Sequence, residues 1–95
     1  CEATLVDSNV RTRFGRIALI VQIDQALVFV TVRSGAGLTG RTPSQDERLG
    51  VRRKAAAYLA TSTRPRARTI RFDEVGIALG PDGTVIGVEH VEDAL

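Results

Sequence analysis

The sequence predicts an α/β (α+β) domain in the order β-β-β-α-β-β, with one helix packed on a mixed sheet. Three observations predict it. Phe14 to Arg33, FGRIALIVQIDQALVFVTVR, concentrates β-branched and aromatic residues at a density suited to buried or half-buried strands. After it, a capping signal at Thr42 or Ser44 opens a stretch in which apolar residues recur at helical spacing. Beyond that helix the chain returns to strand composition, and a helix between strands is the usual way to pair them in parallel.

Thr4 to Val10 is the first strand candidate, its alternation interrupted by Ser8 and Asn9, with Arg11, Thr12 and Arg13 following as a basic connection. Arg16 to Val21 and Ala26 to Arg33 form a central hairpin turning at Asp24 and Gln25, without the Asn-Gly or Asp-Gly pair that would fix the turn's length. Three consecutive strands with short links favour an antiparallel meander. Ser34 to Arg41 holds three glycines in eight residues and reads as a loop. It is not a phosphate-binding loop, because the Lys-Ser/Thr ending is missing.

Thr42 with Gln45, or Ser44 with Glu47, makes a capping box, Pro43 suits a first turn, and the helix runs to about Thr61. Its narrow apolar face is Val51, Ala55, Tyr58 and Leu59, with Arg48, Arg52, Arg53 and Lys54 beside or opposite it. Gly50 weakens the middle by roughly 1 kcal/mol relative to Ala. Ser62 to Thr69 is a basic loop, and Ile70 to Leu79 a strand expected to run parallel to one of the central hairpin. Pro81-Asp82-Gly83 is a turn, and Thr84 to Val91 is the last strand.

Ninety-five residues make one domain, 1–95, with room for one layer packed on a sheet. The net charge of +2 does not by itself mark a nucleic-acid binder. Twelve of the thirteen cations are Arg, which suits bidentate contact with phosphate and equally follows from a GC-rich genome. The single Cys1 has no disulfide partner. No apolar run approaches the roughly 20 residues of a membrane span, so no membrane partner and a cytoplasmic location are expected. The chain contains no methionine, and N-terminal truncation is expected.

Several spaced features resemble the YraN-like family of small bacterial proteins. Asn9-Val10-Arg11 followed by Gly15, Ile17, Leu19 and Ile20 is similar to its N-x-R and G-E-I-D-L-I. Leu27 to Arg33, LVFVTVR, is similar to its L-V-F-V-E-V-K. Ala55-Ala56 with Tyr58-Leu59 resembles the block that follows, Arg71-Phe72-Asp73 with Val75-Gly76 its R-F-D-V-V-G, and Val88-Glu89-His90-Val91 its closing segment. The resemblance implies a restriction-endonuclease-like fold, related to archaeal Holliday-junction resolvases, and a helix that precedes the first strand in the family and is missing here.

The resemblance also implies metal-dependent phosphodiester hydrolysis, in which carboxylates hold Mg²⁺ and a lysine assists the attacking water. The family's catalytic positions fall on Arg16, Ala18, Thr31 and Arg33, so all three carboxylates are replaced and none of the four is intact. Arg16 brings a cation where a metal needs an anion, and Arg33 cannot act as a base because its pKa stays above about 12. No metal and no cofactor are expected, Mg²⁺ entering only if the family activity persists through other ligands. Asp73 reads as a strand-edge residue paired with an Arg, His90 as standing alone, and Ser34 and Ser44 as loop and cap serines.

The expected function is nucleic-acid binding without cleavage, with DNA or another nucleic acid held by Arg11, Arg13, Arg16, Arg33, Arg48, Arg52 and Arg53 around the former catalytic cleft. Few aromatic residues argue against a single-strand stacking platform. The alternatives are an Mg²⁺-dependent endonuclease with other ligands, and an interaction domain, including a homodimer formed along an exposed strand edge.

Overall fold

The computed structural model describes residues 3–35, 44–61 and 69–93. Five strands and one helix follow the expected order: β1 (Ala3–Thr12), β2 (Gly15–Ile23), β3 (Ala26–Gly35), α1 (Gln45–Thr61), β4 (Thr69–Leu79) and β5 (Val85–Val91). They form one sheet in the order β1-β2-β3-β4-β5. The β1–β2, β2–β3 and β4–β5 pairs are antiparallel, and β3–β4 is parallel across ten residues, from Ala26 opposite Thr69 to Gly35 opposite Ala78. The crossover through α1 therefore does what its place in the sequence requires.

β3 is central, and Leu27, Val28, Phe29 and Val30 are buried in succession, so the strand is covered on both faces. On the helix side Ile17, Ile20, Leu27, Phe29 and Phe72 gather against Ala55 and Tyr58 of α1, with Val6, Val10 and Val51 at the margin. Phe29 is the hinge of this cluster: it meets Tyr58 edge-on at 6.0 Å and stacks near Phe72 at 5.8 Å. Each such pair adds about 0.5–1.5 kcal/mol beyond area burial.

Several boundaries differ from the sequence reading. β1 does not stop at Val10: Arg11 pairs with Arg16 and Thr12 with Gly15, so two residues of the expected basic connection belong to the strand. Ser8 and Asn9 stay within it because Asn9 takes a left-handed φ of 51°, which Asn tolerates better than most residues. Ser34 and Gly35 extend β3 rather than opening a loop, since Ile77 and Ala78 of β4 continue the ladder beside them. Leu59 stays 40% exposed, because it lies about 100° around the helix from Tyr58 and leaves the face that meets the sheet.

Of the two possible caps, Ser44 is seen: its Oγ accepts from the Glu47 N–H at 3.2 Å, and its own N–H reaches Glu47 Oε1 at 3.4 Å. Thr42, Pro43, the Gly-rich segment beyond Gly35, the basic loop before Thr69 and Cys1 lie outside the described residues. Among the described residues no helix is long and apolar enough to cross a membrane.

Candidate functional site

Arg16, Ala18, Thr31 and Arg33 meet at one cleft between β2, β3 and the first half of α1. Arg16, Ala18 and Thr31 line a cavity of about 320 Å³ with Val51 and Lys54. Thr31, Val51 and Lys54 also line an adjoining cavity of about 200 Å³, where Arg33 joins Glu47 and Glu74. The two hollows share a wall and form one cleft.

Alternation along β3 places Phe29, Thr31 and Arg33 on the helix side, and parallel register sets Glu74 directly beside Thr31. The capping box brings Glu47 to the same place from the start of α1. Arg33 pairs with Glu47 through Nη2 and lies 3.6 Å from Glu74 Oε2 through Nε. Glu74 is 9% exposed, and its Oε2 makes no hydrogen bond, so the guanidinium is its source of compensating charge. Lys54 spans the cleft's other side, where Nζ donates to the Arg16 carbonyl at 3.3 Å and the side chain lies across Gly15. Gly15, at a φ of 126°, both turns the hairpin and leaves room for that lysine.

The residues present do not fit a divalent metal. Both carboxylates of the cleft are already paired to a guanidinium, and Arg16 and Lys54 add two more cations where Mg²⁺ would need oxygen ligands. Among the described residues no three His, Cys, Asp or Glu side chains converge into a group that can hold a metal ion.

The seven arginines expected to bind nucleic acid are not brought to a single cleft. Arg16 and Arg33 lie within it, while Arg11, Arg13 and Arg53 line a larger groove of about 720 Å³ between the β1–β2 turn and the second half of α1. Arg52 sits over the Phe72 ring at 5.0 Å, toward β4, and Arg48, four residues earlier on the same helix face, is exposed. Lys54, Glu47 and Glu74 are the cleft residues that sequence reasoning missed. Aligning the runs LVFV and IRF as parallel neighbours would have placed Glu74 beside Thr31.

A second charged cluster lies on the other face of β4. Asp73 is fully buried and accepts from Arg71 at 2.8 and 2.9 Å and from the Asp93 N–H at 2.9 Å, and it lies 2.8 Å from His90 Nε2. Burial pushes the Asp73 carboxyl up, but the hydrogen bonds from Arg71, Asp93 and His90 outweigh it and hold its pKa below the ordinary carboxylate value. Asp73 is thus paired with an Arg as expected, though on an interior strand rather than at an edge. His90 does not stand alone, because β5 pairs with β4 in a register that carries it to Asp73.

A mixed five-stranded sheet with a parallel central pair, and helix α1 over a cleft at the ends of a hairpin, defines a restriction-endonuclease-like domain. The chain belongs to the YraN family, described as "Uncharacterised protein family UPF0102", whose sequence profile matches residues 1–77. It is 36% identical over 94 residues to a UPF0102 protein of Rhodococcus opacus, covering 95% of this chain and 78% of that one. A UPF0102 protein of Moorella thermoacetica is 33% identical over the same shares, and one of Nocardia farcinica is 35% identical over 92 residues, covering 93% of this chain and 71% of its own length.

Proposed function

We propose that this chain is a nucleic-acid-binding module of a nuclease-like family, holding phosphates in the cleft without cutting them. One observation carries the reading: the carboxylates of the cleft are tied to Arg33, while Arg16 and Lys54 have no carboxylate partner among the described residues. Two cations without a carboxylate partner in a concave site favour a phosphodiester, and the chain supplies for itself the positive charge that a metal would have brought. Such binding rests on phosphate contacts, carries little base readout and weakens steeply with salt.

The test is the anisotropy of fluorescent duplex and branched DNA at 50 and 200 mM salt, with and without Mg²⁺, followed by a gel of the same samples. Three to four phosphate contacts give a loss of affinity of roughly 40- to 150-fold between the two salt concentrations. The DNA is expected to remain intact, and Arg16→Glu or Lys54→Glu to weaken binding. Mg²⁺-dependent cleavage would overturn the non-cutting reading and favour an endonuclease with other ligands.

A second reading rests on β5, one of the two edge strands, where Val85, Ile86 and Val88 are 59%, 70% and 67% exposed. An exposed apolar edge favours pairing with another chain, a second copy included. Absence of DNA binding even at low salt, together with a dimer by sedimentation, would select this reading over the first.

A further inference from the structure

We infer that the groove between the β1–β2 turn and the second half of α1 seats a single strand of nucleic acid, with one base against Phe14 and the flanking phosphates among Arg11, Arg13 and Arg53. The inference rests on the binding function proposed above and assigns it a second site, outside the cleft of the family's catalytic positions.

Four observations converge on this groove. Among the described residues its lining includes Arg11, Arg13 and Arg53 and no Asp or Glu. Among the described residues Arg11 and Arg53 have no ion-pair or hydrogen-bond partner for their side chains, and Arg13 only stacks on Phe14 at 5.0 Å. A face this rich in uncompensated cations attracts a polyanion. Second, Arg11 lies directly across the β1–β2 ladder from Arg16. Like charges at opposed positions destabilise a sheet, and an anion between them removes the penalty. Because Arg16 belongs to the cleft and Arg11 to the groove, the pair also joins the two sites into one track.

Third, Tyr58 lines the groove, is 7% exposed, and its buried hydroxyl has no hydrogen-bond partner. A buried hydroxyl without a partner is uncommon, and a phosphate or sugar oxygen in the groove supplies the missing acceptor. Fourth, two of the chain's four aromatic residues, Phe14 and Tyr58, line this one groove. Phe14 is 45% exposed at the hairpin turn, where its N–H donates to Thr12 Oγ1 at 3.1 Å and the Thr12 hydroxyl donates to the Gly15 carbonyl at 2.7 Å. The turn thus holds an aromatic ring and a stacked guanidinium outward on a fixed support. The scarcity of aromatics in the sequence argued against a stacking platform, but one base needs only one ring. A volume of about 720 Å³ accommodates one to two nucleotides, within the roughly 300–1,000 Å³ usual for pockets that take small organic ligands. The exposed Phe14 ring favours an unpaired strand as the occupant, since a base inside a duplex offers no free face to stack on it.

The test compares a fluorescent 12-nucleotide single strand with a blunt duplex, by anisotropy at low salt, on the full chain and three variants. Phe14→Ala is expected to weaken single-strand binding roughly 5- to 50-fold while changing duplex binding less than about twofold. Arg53→Gln, at an exposed position that does not endanger folding, is expected to lower the salt slope for the single strand by about 0.7. Tyr58→Phe is expected to weaken single-strand binding while the melting temperature holds or rises, because it removes a hydroxyl that has no partner in the free protein. If all three variants bind the single strand like the parent, and Arg16→Glu still weakens duplex binding, the groove assignment falls and the cleft reading stands. If the parent binds neither DNA, both fall.

Discussion

Asp73 and Glu74 are consecutive on β4, both are buried, and both are paired to an Arg, yet they belong to regions built in opposite ways. Consecutive strand residues face opposite sides of a sheet, so one side chain enters the network under β5 and the other the cleft under α1. Asp73 has its lone pairs occupied by Arg71, His90 and the Asp93 N–H, which is how a buried carboxylate becomes a fixed point of a fold. Glu74 Oε2 and Arg33 Nε face each other at 3.6 Å, and neither makes a hydrogen bond. Buried charge by itself therefore does not mark function. The saturated cluster holds the C-terminal turn against the sheet, and the under-satisfied one borders open volume where a ligand can enter.

Removing each carboxylate's support in turn separates the two regions. Asp73→Ala strips three partners at once and leaves the Arg71 charge without its main compensation, so a loss of about 3–5 kcal/mol is expected in urea unfolding. A loss under about 1 kcal/mol would mean that the network is dispensable and that the two regions do not differ as argued. The same residue sets the acid behaviour. Its folded pKa lies below its unfolded one, so its stabilisation is complete above the ordinary carboxylate value of 3.8 and is lost as pH falls through the lowered folded value. Melting temperature measured from pH 7 downward should therefore drop below about pH 4 in the parent, and Asp73→Asn should flatten that part of the curve.

Arg33→Ala makes the matching cut in the cleft. It leaves Glu74 buried without its cation, but Arg33 is itself about 30% exposed and both residues line a cavity of about 200 Å³, so the expected loss is smaller, about 1–3 kcal/mol. Arg33→Lys should recover part of it, since it restores the charge without the planar fork. If Arg33→Ala proved more costly than Asp73→Ala, the cleft pair would be the structural one, and the case for an open binding site would weaken.

How far these regions were legible in the sequence follows from the range of the forces involved. Strand order, the Ser44–Glu47 cap, the helix and the parallel return of β4 rest on local periodicity and capping chemistry, which short windows reveal. The convergence of Arg16, Ala18, Thr31 and Arg33 was legible only through the family resemblance. The partners Glu47, Lys54 and Glu74 depended on the register of a parallel ladder and on the rotation of a helix, neither of which the local pattern fixes. For the same reason His90 read as solitary: it lies 17 residues from Asp73, and only the β4–β5 register unites them. The arginines were the least legible, because Arg52 and Arg53 are adjacent in sequence and the helix turns Arg53 to a different flank from Arg48 and Arg52.

The smallest expected effect tests whether the open side has room as well as charge. Gly50 borders the second cavity of the cleft in the middle of α1, and a Cβ built on it meets nothing within 4 Å. A glycine there gives up helix propensity without relieving a clash, so Gly50→Ala is expected to stabilise the domain by about 1 kcal/mol. For a chain of this size that raises the melting temperature by roughly 4–8 °C. A flat or lowered melting temperature would mean that the cleft closes on Gly50 in solution, and the space counted here as open to a ligand would then be taken by the protein itself.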